Sequence, residues 1–189
     1  MKYFEWMNLF EKNNCALTRF KGGKIGELTA GVPLAGVRPD PYGYSMDDEY
    51  RKNVRLTDNL YNDQDAIVAS PRLRDLLVEK LGAKIEALPV WIKDHKGRIA
   101  TKDYTFINIL DVQDCLAVEE SQASFGTIGG KQVVLGVEDL TLDLKRVSAD
   151  ARLFRLPQPQ IPMLIREDLK DEIVSQKFQG LGFNLVKTI

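Results

Sequence analysis

Cysteine, histidine and closely paired carboxylates supply the chemistry of most hydrolytic and group-transfer sites, and this chain has few of them. It has one histidine, His95, and two cysteines, Cys15 and Cys115. Any serine or cysteine nucleophile activated by histidine would have to use His95. That residue lies in "KDHKGR", among charged and turn-forming neighbours, and is expected as an exposed turn residue. Cys115 lies in "YTFINILDVQDCLAVEES", together with Asp111, Asp114, Glu119, Glu120 and Ser121. An enzyme built here would use Cys115 as nucleophile or Asp111 with Asp114 as acid and base. The histidine sits in a different turn, so strand and turn architecture is the expected role of this stretch, with a small enzyme kept as the alternative.

Other constellations fall short of their templates. Two cysteines without a CxxC spacing and a single histidine exclude the usual zinc sites, so no metal or cofactor is expected. Asp58, Asp63 and Asp65 are close together, but the central glycine of a calcium loop is missing and Ile67 occupies a ligand position. "GTIGGK" has too few residues between Gly126 and the Gly130-Lys131 pair for a P-loop, and Gln132 stands where Ser or Thr would meet the metal. It reads as a hairpin or loop. GxGxxG, GxSxG and HExxH do not occur.

Composition narrows the class. The chain has 189 residues, 44% hydrophobic and 28% charged, with a formal net charge of -1. That balance offers no general attraction to nucleic acid or to an anionic membrane. "MKYFEWMNLF" lacks the apolar core and cleavage site of a secretory signal. No uncharged run approaches the ~18 residues of a membrane span. Two unpaired, reduced thiols in a cytoplasmic protein are the expectation.

The elements that would position these side chains read as an α+β fold, mainly an antiparallel sheet with two principal helices packed on it. A single domain is expected over residues 1–189, with a long polar loop at about 38–66. "KYFEWM" and "CALTRF" alternate as strands. Ser70 and Pro71 begin a helix whose apolar face is Leu73, Leu76, Leu77 and Leu81, and Gly82 ends it. "IEALPVWIKDHKGRIATKDYTFINIL" is a hairpin around "DHKGR". Tyr104, Phe106 and Leu110 share one face of its second strand, and Ile107 and Ile109 the other, so that strand is central and buried. Asn108 interrupts one face; a buried amide must be hydrogen-bonded, so it is expected to tie down a loop or strand end. "CLAVEES", "QVVLGVEDLTLDL" and "ARLFRL" read as further strands, and the segment from Met163 as strand, helix, glycine and strand.

Asp47, Asp48 and Glu49 form the densest acidic run, flanked by Tyr42, Tyr44 and Tyr50. Three consecutive carboxylates read as a solvated face; the functional alternative is a contact surface for a basic protein partner, helped by the tyrosines, whose rings supply wide area and a polar tip at low entropic cost.

An ordered series of segments resembles the bacterial immunity-protein family known as immunity family eleven. "DAIVASPRLRDLL" resembles the family's valine-serine start of a helix, at Ser70, and "LPVWIKDHKG" its strand before a turn. In "YTFINILDVQDCLAVEES", Tyr104, Asn108, Asp114, Cys115 and Ser121 match the family's signature positions, and Phe154-Arg155 in "LFRLPQPQIPMLIREDLKDEI" its Phe-Arg strand. The resemblance spans Leu60 to Phe183. Ala117 and Ile165-Arg166 depart from the pattern, and the chain before Leu60 matches little of it. The resemblance implies a cytoplasmic immunity protein that binds and neutralises a cognate secreted toxin in interbacterial competition. A regulatory module binding another protein is the remaining alternative.

Overall fold

The computed structural model describes residues 1–22, 30–34, 36, 42–158 and 160–189. In chain order the strands are β1 (Tyr3–Asn8), β2 (Ala16–Lys21), β3 (Tyr42–Met46), β4 (Tyr61–Asn62), β5 (Ile67–Ala69), β6 (Ile85–Lys93) and β7 (Ile99–Ile109). They continue with β8 (Ser124–Ile128), β9 (Lys131–Gly136), β10 (Thr141–Leu142), β11 (Leu153–Phe154), β12 (Leu164–Arg166), β13 (Leu181–Leu185) and β14 (Lys187–Thr188). Helix α1 (Pro71–Leu81) lies between β5 and β6, and α2 (Glu167–Ser175) between β12 and β13.

The α+β composition matches the expectation, but among the described residues the expected single sheet is two larger sheets with two two-stranded ones, β8-β9 and β10-β14. A four-stranded antiparallel sheet has the order β11-β12-β1-β13, and a six-stranded mixed sheet the order β4-β2-β3-β6-β7-β5. Within the second, β3 runs parallel to β6 and β2 parallel to β4. Both sheets contribute to one core with both helices: Trp6, Leu153 and Ile165 from the first, Ile67, Ile107 and Ile109 from the second, Leu73 and Leu77 from α1, Leu169 and Ile173 from α2. Period-2 alternation shows that a strand has an apolar face, but not which sheet the strand joins.

Each of the two larger sheets is buried on its other face as well. Tyr44, Val90, Tyr104 and Phe106 share a second cluster, and Tyr3, Cys115, Phe154 and Leu164 a third. β7 therefore presents Ile107 and Ile109 to one core and Tyr104 and Phe106 to another, as its doubly apolar sequence requires.

Helix α1 is delimited by local chemistry. The Ser70 hydroxyl accepts the Leu73 N–H at 3.3 Å and donates to the Asp58 carboxylate at 3.0 Å. Gly82, at φ 53°, returns its N–H to the Val78 carbonyl. At α2, Arg166 provides no side-chain cap. Glu167 and Asp168 in the first turn instead place negative charge at the positive end of the helix. Lys80 of α1 reaches Glu172 of α2 at 2.8 Å.

The β6–β7 hairpin forms as its pattern predicts. Asp94 closes its turn by accepting the backbone N–H groups of Lys96 and Arg98, at 2.8 and 3.0 Å, while Arg98 also grips the same carboxylate. His95, expected to be exposed there, has a side chain only 12% exposed, with Nδ1 3.8 Å from Asp48. The turn folds over the Asp48 segment, a contact between residues far apart in sequence. Gly129 and Gly130, both at positive φ, turn β8 into β9, so the glycine-rich break is a hairpin.

Two further expectations need correction. Part of the supposed polar loop at 38–66 is β3, near the centre of the six-stranded sheet, and β4 lies at that sheet's edge; residues 38–41 fall outside the described residues. Gly43 pairs with Trp91 across β3 and β6, and a Cβ on Gly43 would lie 2.1 Å from the indole. The absence of a side chain at Gly43 is what admits the Trp91 ring. "CLAVEES" is not a continuous strand: Leu116 makes a single bridge to Leu142, and the chain then turns, with the Ser121 N–H bonded to the Ala117 carbonyl at 2.9 Å. Among the described residues, no helix is long and apolar enough to cross a membrane.

Candidate functional site

The acidic run forms a single 3-10 turn over Asp48–Tyr50, seated on the six-stranded sheet. Asp47 initiates it by accepting the Glu49 N–H at 3.0 Å, and its own N–H bonds to the Ala16 carbonyl at 2.9 Å. The turn is thereby fixed to the start of β2. Asp48 is engaged by Arg19 at 3.0 Å and Arg51 at 3.4 Å, with His95 beyond them. Glu49 is exposed, and so are Arg51 and Lys52 just after the turn. The surface thus carries mixed charge, with Asp48 already compensated, instead of the uniformly acidic face that the run of three carboxylates implied.

The tyrosines divide. Tyr50 is 39% exposed and its ring lies 4.6 Å from that of Phe10, itself 44% exposed; Phe10 also sits 5.2 Å from Tyr61. Tyr42 and Tyr44 are 5% and 0% exposed and belong to the core, so neither ring reaches the surface proposed for it. The reason is β3: its central position buries both faces of the strand. Phe10 and Tyr61 were not singled out from the sequence. Phe10 follows β1, Tyr61 begins β4, and no local pattern brings either to Tyr50.

Most of the residues in the signature make interior contacts; Asp114 is exposed. Tyr104 donates from its hydroxyl to the Thr57 carbonyl at 2.6 Å, and burial raises its pKa. The Asn108 amide donates to the Val32 carbonyl and to Glu86, both at 2.8 Å, so it ties the segment at residues 30–34 to β6 and β7. Glu86 also accepts the Leu34 N–H at 2.7 Å. Ser121 is fully buried and bonds to Thr141. Phe154 packs edge-on to Tyr3, with ring centroids 5.5 Å apart. Arg155, directly after β11, is buried and makes an isolated bridge to Val112 through its backbone.

The residues named for catalysis are not brought together. Asp111 is nearly buried and paired with Lys84 at 3.0 Å, whereas Asp114 is exposed and paired with Arg146 at 2.7 Å. Cys115 is fully buried among apolar side chains, and burial pushes its thiol up to about 11; burial alone puts Cys15 at about 12. Neither thiol ionises near neutral pH, the condition for nucleophilic sulfur. Asp58, one of the supposed loop acids, instead holds an interior junction through Ser70, Arg72 and the Gln179 N–H. Among the described residues, no three His, Cys, Asp or Glu side chains converge as a metal site.

No curated protein matches the chain. The sequence profile of the Immunity protein family (Imm11) matches residues 39–188, which takes in the Asp47–Tyr50 turn, α1, the β6–β7 hairpin, the Cys115 segment and α2. This match covers most of the chain, and the chain belongs to the Immunity protein family (Imm11).

Proposed function

We propose that this protein binds a cognate bacterial toxin and neutralises it, and that Phe10 and Tyr50 with the carboxylates of Asp47 and Glu49 form part of the contact. Membership of an immunity family carries the first half of the reading. The exposed Phe10–Tyr50 pair supports the second, since aromatic side chains ringed by polar groups are the usual anchors of protein interfaces. Asp48 takes a different part: held by Arg19 and Arg51, it keeps the turn in shape. Tyr42 and Tyr44 support the sheet beneath.

The test is co-expression with the product of the neighbouring upstream open reading frame, scored by cell survival and co-purification. Rescue and a stable complex are expected. Changing Phe10 and Tyr50 together to Ala should weaken the complex on the order of 30-fold, the scale of an interface hot spot. Rescue without complex formation overturns binding as the mechanism; unchanged affinity in the double variant moves the contact elsewhere on the molecule.

A further inference from the structure

A cavity of ≈ 350 Å³ lies where β1, the Gln64–Asp65 turn and the segment before β12 meet. Trp6, Ile161 and Met163 give it apolar walls, and Arg155 lines it. The Arg155 residue is 4% exposed, yet its Nε and one Nη have no hydrogen-bond partner among the described residues. A buried guanidinium without a partner is costly, because the charge loses its water and gains nothing in return.

The position of this side chain is not accidental slack. Its backbone is held on both sides, the N–H bonded to the Asp111 carbonyl at 2.9 Å and the carbonyl accepting the Gln113 N–H at 2.8 Å. The neighbouring side-chain amides are bonded to other groups. Asn8 accepts the Trp6 indole N–H and donates to the Ala66 carbonyl, Gln64 donates to Asp63, and Gln160 donates to the Val134 carbonyl. Exposed Asp65 acts on Arg155 only through its charge, while burial lowers the guanidinium to about 10, so the side chain stays cationic at neutral pH.

We propose that this cavity is a binding site for a small monocarboxylate with an apolar body, its carboxylate paired with Arg155 and its body against Trp6, Ile161 and Met163. A planar guanidinium with free N–H groups matches a carboxylate in a two-point hydrogen-bonded pair. The cavity falls within the range of small-molecule sites, and its apolar walls with the buried Arg155 charge, beside the exposed Asp65 at its edge, suit an amphipathic ligand. This site is separate from the Phe10–Tyr50 patch and does not depend on the toxin reading.

The experiment is calorimetric titration of the full chain with 3-phenylpropionate, with 3-phenylpropionamide as the uncharged control. The acid should bind saturably and at least about tenfold more tightly than the amide. Arg155→Met should abolish that preference while circular dichroism and thermal melting report a folded protein. Asp65→Asn keeps a residue type that tolerates the left-handed backbone at this position (φ 48°) and removes the repelling carboxylate. It should tighten acid binding roughly two- to fivefold. Should Arg155→Met fail to fold, the acid–amide difference and the Asp65→Asn response decide the matter. Equal binding of acid and amide, or no acid binding up to ~10 mM, a bound set by ordinary weak-ligand affinity, overturns the proposal.

Discussion

Ser121 and Thr141 are joined by two reciprocal hydrogen bonds. The Ser121 hydroxyl accepts the Thr141 N–H at 3.0 Å and donates to the Thr141 carbonyl at 3.1 Å, with both residues buried. One hydroxyl thus satisfies both backbone groups where the turn after Leu116 meets β10. Ser121→Ala removes the hydroxyl partner of the buried Thr141 N–H, while the Thr141 carbonyl keeps the Ala117 N–H at 3.0 Å. It should cost about 1–3 kcal/mol in urea denaturation, the desolvation penalty of a group left unpaired. A loss within experimental error would mean that water replaces the hydroxyl.

Gly180 stands against the Asn59 carbonyl. Its φ is 83°, and a Cβ there would lie 2.0 Å from the Asn59 oxygen. Backbone is the obstacle, so no side chain can swing away. Gly180→Ala should destabilise the protein by on the order of 2 kcal/mol or more, through both clash and strain. Gly82→Ala is the control: its φ is also positive, but a Cβ meets nothing within 4 Å. The Gly82 variant should lose distinctly less stability in the same denaturation assay.

Asp168 links acid sensitivity to the start of α2. Hydrogen bonds from Arg166, opposed by burial and aided by the charge of Arg152, hold its carboxyl at about 2 instead of 3.8. A carboxyl whose folded pKa is depressed stabilises the fold above its unfolded pKa, and the contribution is lost as pH falls through the folded value. The stability advantage of the wild type over Asp168→Asn should therefore be full at pH 7 and shrink between about pH 4 and pH 2. A pH-independent difference, measured by urea melts across this range, would assign the effect to packing.

Both thiols should be silent in the folded protein. Cys15 and Cys115 are 1% and 0% exposed, with pKa values pushed by burial to about 12 and about 11. At pH 8 an aromatic disulfide reagent should label neither within minutes and both once guanidinium unfolds the chain. Fast native labelling of Cys115 would revive the enzyme alternative, because it requires an accessible thiolate.

Much of this molecule can be read from short windows of sequence. Ser70, Pro71 and Gly82 mark the ends of α1, "DHKGR" turns one hairpin, Gly129-Gly130 turns another, and the doubly apolar β7 announces its own burial. These features depend on dihedral preferences and hydrogen bonds within a few residues, which local residue types control. Asn108 belongs with them in part: its burial demanded a partner, though not the identity of Val32.

The remainder depends on which distant segments pair. Tyr44 is buried because β3 enters the sheet parallel to β6, and the aromatic patch exists because Phe10 comes up against both Tyr50 and Tyr61. The assignment of strands to separate sheets, the enclosure of His95 and the cavity beside Arg155 arise in the same way. Residue order supplied the faces, caps and turns. The partners of those faces were settled by the assembled fold, because burial and hydrogen bonding between segments are collective, and an alternating strand pattern is compatible with several neighbours.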